Sequence, residues 1–343
     1  MAIMNTKERL YTLDILKFIS AILIAIWHLY CDIGVTFKYS DIIFKMFRLD
    51  NVVDLFFIIS GFLSLYNIKK TSFDEYFKHK INNLYPLAII SVIIEVILML
   101  IYKIKFSEDW FNTPLGIWRI INSLLITTTG QATKIDLGIN NPLWYVSVLM
   151  VCYVVFWFAT KDENKDYKYI LLGLCLFGLG IHEYQIDLPF INAYIGRGFA
   201  GYFLGTCLCI FYQSRMKQFT KKYAIVFPTM LLFIILSLLL YDYSYFMDNK
   251  WCIDTFVIMP LIVITFLMLN KYLANSKKLS VLSNISYSIY VWHNEILTIY
   301  SIIQIKECNF FDMCIYVIIC LIWSIMSYTL FEKKLRSMFN RMF

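Results

Sequence analysis

The chain has 343 residues, 60% hydrophobic and only 16% charged, with a mean hydropathy of +0.65; a soluble domain of this size needs a far more charged surface. Six prolines and twelve glycines are too few for a disordered or fibrous chain. The net charge of +7, in so apolar a chain, points to basic loops on the cytoplasmic side of a bilayer rather than to nucleic acid.

A membrane-crossing helix needs about 20 mostly apolar residues. That criterion predicts an all-α, polytopic membrane protein forming one domain over 1–343, with spans near 11–31, 52–68, 84–102, 143–160, 169–181, 196–213, 223–241, 252–271, 285–303 and 312–331. The first apolar run is too long for the core of a cleavable signal and no small-residue cleavage site follows it, so it is expected to remain as the first helix. A further stretch from Leu115 to Gly130 is broken by Arg119 and Asn122, which suits an interfacial or re-entrant piece better than a full crossing. With ten spans, roughly twenty Lys and Arg fall on the side of the termini against about nine opposite, which places both termini in the cytoplasm. Nine cysteines are scattered through the apolar runs with no zinc-site spacing and read as small hydrophobes. A Cys252–Cys308 disulfide would require both to face outward and is not expected. No metal is expected.

The first span, "YTLDILKFISAILIAIWHLY", carries Asp14, Lys17 and His28. An ionisable side chain at mid-bilayer costs ~2.5–3.5 kcal/mol on insertion scales, so each needs a partner, a wet cavity or a task. Lys17 and His28 are eleven residues apart, almost three full turns, hence on one face with a rise of about 16 Å. Asp14 sits one turn before Lys17, where it can pair with it. A bland account is that Asp14 and Lys17 snorkel to the inner interface and that His28 is a structural hydrogen-bond donor.

The second span opens "NVVDLFFIISGFL" and places Asp54 at about the depth of His28. A carboxylate beside an imidazole orients it and fixes its tautomer, the makings of a general base; a capping aspartate at the helix start is the equal alternative. Ser60 and Gly61 allow a helix or a ligand to approach closely. Glu95 lies in the third span with no obvious partner. Trp144 opens the fourth span as an interfacial aromatic. Arg197 heads a small-residue face of Gly198, Gly201 and Gly205, better suited to helix packing than to ligand contact; Arg197 itself suits an anion or sugar contact, or an interfacial anchor. The ninth span holds His293 and Glu295 in "SYSIYVWHNEIL".

"LDILKFISAILIAIWH" resembles the first-helix signature of the membrane acyltransferase-3 family, and "VDLFFIISGFL" is similar to its second-helix signature. "PLWYVSVLMVCYV", "GYFLG" and "ISYSIYVWH" follow in the family's order, so the resemblance spans nearly the whole chain. It implies a ten-helix integral membrane O-acyltransferase of the cell inner membrane. The donor would be cytoplasmic acyl-coenzyme A, with acetyl the commonest group. The acceptor would be a hydroxyl of a cell-surface glycan or lipid-linked sugar. It implies His28 as the essential histidine, Lys17 at the basic position and Asp54 as the second-helix acid. Lys17 stands where Arg is usual, Val52 where Gly is common and Leu149 where many members have Glu; the last suggests the smaller, membrane-only branch.

These residues suggest a route. The pantetheine arm of coenzyme A spans about 17 Å, reckoned as five extended residues, close to the Lys17–His28 rise. Lys17, with Asp14, is expected to steady the donor, and Ser60, Trp144, Arg197 and His293 are candidates for the acceptor or for support around the centre. His28, oriented by Asp54, serves either as general base or as acyl-accepting nucleophile. The rival from another class is a secondary transporter or flippase, which also buries ionisable groups at midplane; no inverted halves or paired broken helices are evident. A glycan polymerase or scaffold would need large outer loops, and only 103–142 is long.

Overall fold

The computed structural model describes residues 9–38, 40, 44, 49–69, 71–110, 114–129, 138–161, 166–215, 226, 228–230, 250–270, 272 and 279–342. Among these, regular structure is helical: α1 Tyr11–Asp32, α2 Val52–Tyr66, α3 Phe73–Phe106, α4 Ile117–Leu124, α5 Trp144–Thr160, α6 Tyr167–Glu183, α7 Ala193–Ser214, α8 Lys250–Ile253, α9 Met259–Leu269, α10 Ser280–Ile302, α11 Phe310–Ser327 and α12 Lys333–Met342. π-Helical turns at Asp254–Ile258 and Tyr328–Glu332 join α8 to α9 and α11 to α12. Seven helices among the described residues are long and apolar enough to cross a membrane. Helix α6 has 17 residues, and α10, with 23, is rich in buried polar groups. Every expected span coincides with a described helix except 223–241, most of which lies outside the described residues.

The bundle is organised around α2, whose Phe57, Ile58, Ile59 and Phe62 are fully buried. Two glycines allow that. A Cβ on Gly61 would stand 1.8 Å from the Tyr202 carbonyl oxygen, and one on Gly205 would stand 1.9 Å from that of Ile58, so α2 and α7 touch backbone to backbone. The small-residue face headed by Arg197 is therefore a packing face. Helix α10 packs against α1 on one side and α3 on the other, which carries its polar residues into the interior.

Helix α3 has 34 residues, about 51 Å of rise, well beyond a ~30 Å hydrocarbon core. Its start is capped by Ser72, whose hydroxyl accepts from the Glu75 amide, with Asp74 and Glu75 in the first turn suiting the positive helix end. Within 115–130 the helix has eight residues, too short to cross. It exposes Ile117 and Trp118 and is held to α3 by the Tyr85 hydroxyl donating to Leu124 O. All nine cysteines are free: Cys252 lies against Glu183, and Cys308 is buried, where desolvation and Asp312 push its thiol pKa up.

Candidate active site

Helix α1 runs unbroken through Lys17 and His28, so one rigid element sets their separation at about 16 Å. The His28 side chain is 22% exposed, with Nδ1 3.7 Å from Oδ2 of Asp32, one turn on. That is a charge contact rather than a hydrogen bond. The His28 ring centroid lies 5.0 Å from that of His293 on α10. His293 is wholly buried. Its Nδ1 is 3.3 Å from the Ile289 carbonyl, a contact in which nitrogen must donate, so Nε2 is left as the acceptor. That Nε2 finds no hydrogen-bond partner among the described residues. Two imidazoles thus meet with their planes tilted by 42°, one of them buried and offering a basic nitrogen.

Asp54 does not join them. It is fully buried, and both oxygens are taken: Oδ1 by Arg197 Nε at 2.6 Å, Oδ2 by Trp251 Nε1 at 2.8 Å and Thr255 Oγ1 at 3.0 Å. The expected Asp54–His28 pair is not formed, because α7, α8 and the π-helical turn after it present three donors to the carboxylate from another side. Position in the sequence bears on depth along the helix axis and leaves open which way Asp54 points around it. The carboxylate at His28 is Asp32, and the spacing in "HLYCD" is the overlooked signal, since residues four apart share a helix face.

Arg197 is fixed by the same cluster. Its Nη2 donates to Asp50 O at 2.6 Å, and its guanidinium carbon lies 5.7 Å from the Trp144 ring centre. Trp144 in turn packs edge-on to Tyr194 at 4.9 Å. Arg197 and Trp144 therefore belong with Asp54, in a latch joining α2, α5, α7 and α8.

The other end of the α1 face opens into a cavity of about 1450 Å³. Among the described residues, Lys17, Lys69, Lys80, Lys161 and His79 line it with one carboxylate, Glu75, and with aromatic walls including Tyr153 and Trp157. The Lys80 ammonium sits 4.1 Å from the Tyr153 ring centre and that of Lys161 5.4 Å from Trp157, cation–π contacts that hold both charges at the wall. The expected Asp14–Lys17 ion pair is absent: Asp14 takes Arg9 at 3.0 Å, because Arg9, two residues before α1, reaches over its first turn. Lys17 is left facing the cavity.

Ser60 joins the two ends. It lines the cavity, and its hydroxyl is 3.2 Å from the Tyr145 hydroxyl. The Tyr145 ring contacts Tyr290 at 5.4 Å, and Tyr290 contacts His293 at 5.9 Å. A chain of aromatic rings, pinned by the Tyr290 hydroxyl donating to Pro142 O, thus connects the basic cavity to the histidine pair, and His28 is not among the cavity-lining residues. None of the sequence signals singled out Asp32, Lys80, Lys161, Tyr145 or Tyr290.

A positive cavity with aromatic walls suits a polyanion bearing a ring, and an open imidazole pair suits proton or acyl transfer. In comparison with known families, the acyltransferase domain model Acyl_transf_3 matches residues 10–329. No match was found among curated proteins or among solved structures.

Proposed function

Given that the chain belongs to the acyltransferase-3 family, we propose that it transfers an acyl group, acetyl in the first instance, from cytoplasmic acyl-coenzyme A to a hydroxyl of a cell-surface glycan or lipid-linked sugar. In this reading it sits in the cell inner membrane, with ten spans and both termini in the cytoplasm. The observation that carries the reading is the lysine-lined cavity at one end of the α1 face that bears His28 at the other.

The roles follow from the geometry. Lys69, Lys80 and Lys161 hold the donor's phosphates, with Trp157 and Tyr153 offering ring surfaces to its base. Lys17 steadies the arm where it leaves the cavity. His28 Nε2 takes the proton of the acceptor hydroxyl as its oxygen attacks the thioester carbonyl. The carbon–sulfur bond then breaks, and His28 returns the proton to the departing sulfur. Asp32 faces Nδ1, orients the ring and offsets the imidazolium charge. The Tyr145–Tyr290 rings lie across this route, so passage of the thioester requires them to shift, a gating step of the kind that sets many turnover rates.

The test is transfer of label from radiolabelled acetyl-coenzyme A to cell-envelope glycan, using membranes that hold equal amounts of wild type or His28→Ala. The reading expects transfer by the wild type alone; equal transfer by both would end it.

A further inference from the structure

Glu95 on α3 and Glu295 on α10 are shut off from the surface and act on one another electrostatically across the helix contact. Among the described residues neither has a Lys, Arg or His ion-pair partner; Cys320 of α11 lies within electrostatic reach of Glu295. Two ionised carboxylates cannot share a dry interior without a compensating cation.

The hydrogen bonds show which cation. Thr298 Oγ1 lies 2.6 Å from Glu95 Oε1 and 3.2 Å from the Asn294 carbonyl. A threonine hydroxyl has one hydrogen. Both contacts are bonds only when Glu95 supplies a second, donating to Oγ1 while Thr298 donates to Asn294 O. The same shortage recurs on the other carboxyl. The Asn140 amide has two hydrogens but faces three acceptors: Glu295 Oε1 at 3.0 Å, Ser91 Oγ at 3.2 Å and Val291 O at 3.3 Å. The Ser91 hydroxyl likewise has one hydrogen for two acceptors, Ala88 O at 2.9 Å and the Glu295 carboxyl. Among the described residues three oxygens in the cluster find no hydrogen-bond partner, namely Glu95 Oε2, Glu295 Oε2 and Asn140 Oδ1, all buried. Every shortage is of hydrogens and none is of acceptors. A sodium ion would need five or six converging oxygens, more than the three that lack partners; a proton needs two.

We infer that Glu95 and Glu295 form a proton-binding site in the interior of the bundle, holding at least one proton at neutral pH. The site has a path to the reaction route, a clause that rests on the acyl-transfer reading. Asn140 precedes the 3₁₀ turn Asn141–Leu143 that begins α5, and Pro142 in that turn holds the Tyr290 hydroxyl. Losing the proton would set two like charges against each other between α3 and α10 and loosen the anchor of the aromatic chain.

Infrared difference spectroscopy on the purified full-length protein in lipid nanodiscs tests the site without using activity. The wild type at neutral pH should show the carbonyl stretch of a buried protonated carboxylic acid, and the Glu95→Gln/Glu295→Gln double variant should lack it. Gln supplies the missing hydrogens in the same shape, so this variant is expected to fold. Should it not, the single Glu95→Gln variant, whose amide can donate to Thr298, should reduce the band. A band unchanged in the variants, or absent from the wild type, overturns the proposal. So does a melting temperature that sodium raises over choline in the wild type but not in Glu95→Gln, since the pair would then hold a metal ion. Failure of acyl transfer with the band intact would strike the functional reading and leave the proton site standing.

Discussion

Asp54 and His28 were expected to be neighbours, and the structure puts them in opposite conditions. Asp54 is closed: an arginine, an indole and a hydroxyl saturate its two oxygens. His28 is open, partly exposed, with only a long contact to Asp32 and a second imidazole beside it. A saturated buried charge holds elements together and has nothing left with which to react. An unsaturated one costs stability and survives where something else uses it. The two sites should therefore respond oppositely to mutation, the first through folding and the second through turnover.

The largest effect is expected at the open site. His28→Ala should lower acyl transfer by about 10⁴-fold, the upper range for loss of a general base, while the melting temperature stays near the wild-type value, since the side chain is partly exposed and makes no short hydrogen bond. Parallel label-transfer assays and thermal unfolding in detergent separate the two readouts. A large loss of stability with activity per folded molecule retained would reverse the assignment.

The closed site gives the next effect. Arg197→Met strands the buried Asp54 carboxylate and should destabilise the protein by about 3–5 kcal/mol, the usual cost of breaking a buried ion pair from one side. Asp54→Asn in the same chain should recover much of that, because the amide needs no cation. A double variant as unstable as Arg197→Met alone would show that Arg197 serves packing on Trp144 rather than the carboxylate, a coupling that the mutant cycle isolates.

How much of this was readable in advance divides along the same line. The spans were legible because hydropathy and length are local, and each described one falls on a helix. The relative facing of Lys17 and His28 is legible because both belong to one helix, whose periodicity fixes it. The Asp32 contact is as readable, from its spacing of four residues. Arg197 as the partner of Asp54 was not readable. The two are 143 positions apart, and α2 is buried on every side, so no apolar stripe marks which way Asp54 points. The Glu95–Glu295 pair and the meeting of His28 with His293 depend likewise on the rotation of α10 against α1 and α3, which its polar, all-round buried sequence does not declare. The basic cavity gathers side chains from α1, α3, the loop before it and the end of α5; each lysine alone reads as an interfacial anchor.

A smaller effect tests whether Asp32 has taken the role expected of Asp54. Asp32→Asn keeps the size of the side chain and removes the charge facing His28 Nδ1. Turnover should fall by about tenfold, the factor that 1.4 kcal/mol of lost imidazolium stabilisation gives. Donor KM should be unmoved. Asp54→Asn, by contrast, should act through stability and leave turnover per folded molecule where it is. If the loss of turnover follows Asp54 instead, the contact seen at Asp32 is incidental.

The smallest expected effect lies at the cavity, where charges are shared among several groups. Lys161→Ala should raise the KM for acyl-coenzyme A by about threefold with kcat unchanged, because one exposed cation among four contributes well under 1 kcal/mol to holding a polyanion. Lys80→Ala should cost more, since its ammonium is held over Tyr153 and loses less freedom on binding. Both losses should shrink as salt is raised, while the His28 and Asp32 effects do not, because mobile ions screen the open cavity but cannot enter the packed imidazole pair. A kcat effect at Lys161 that ignores salt would move that lysine from donor binding into the chemistry and would make the cavity, rather than the histidines, the reacting end of the helix.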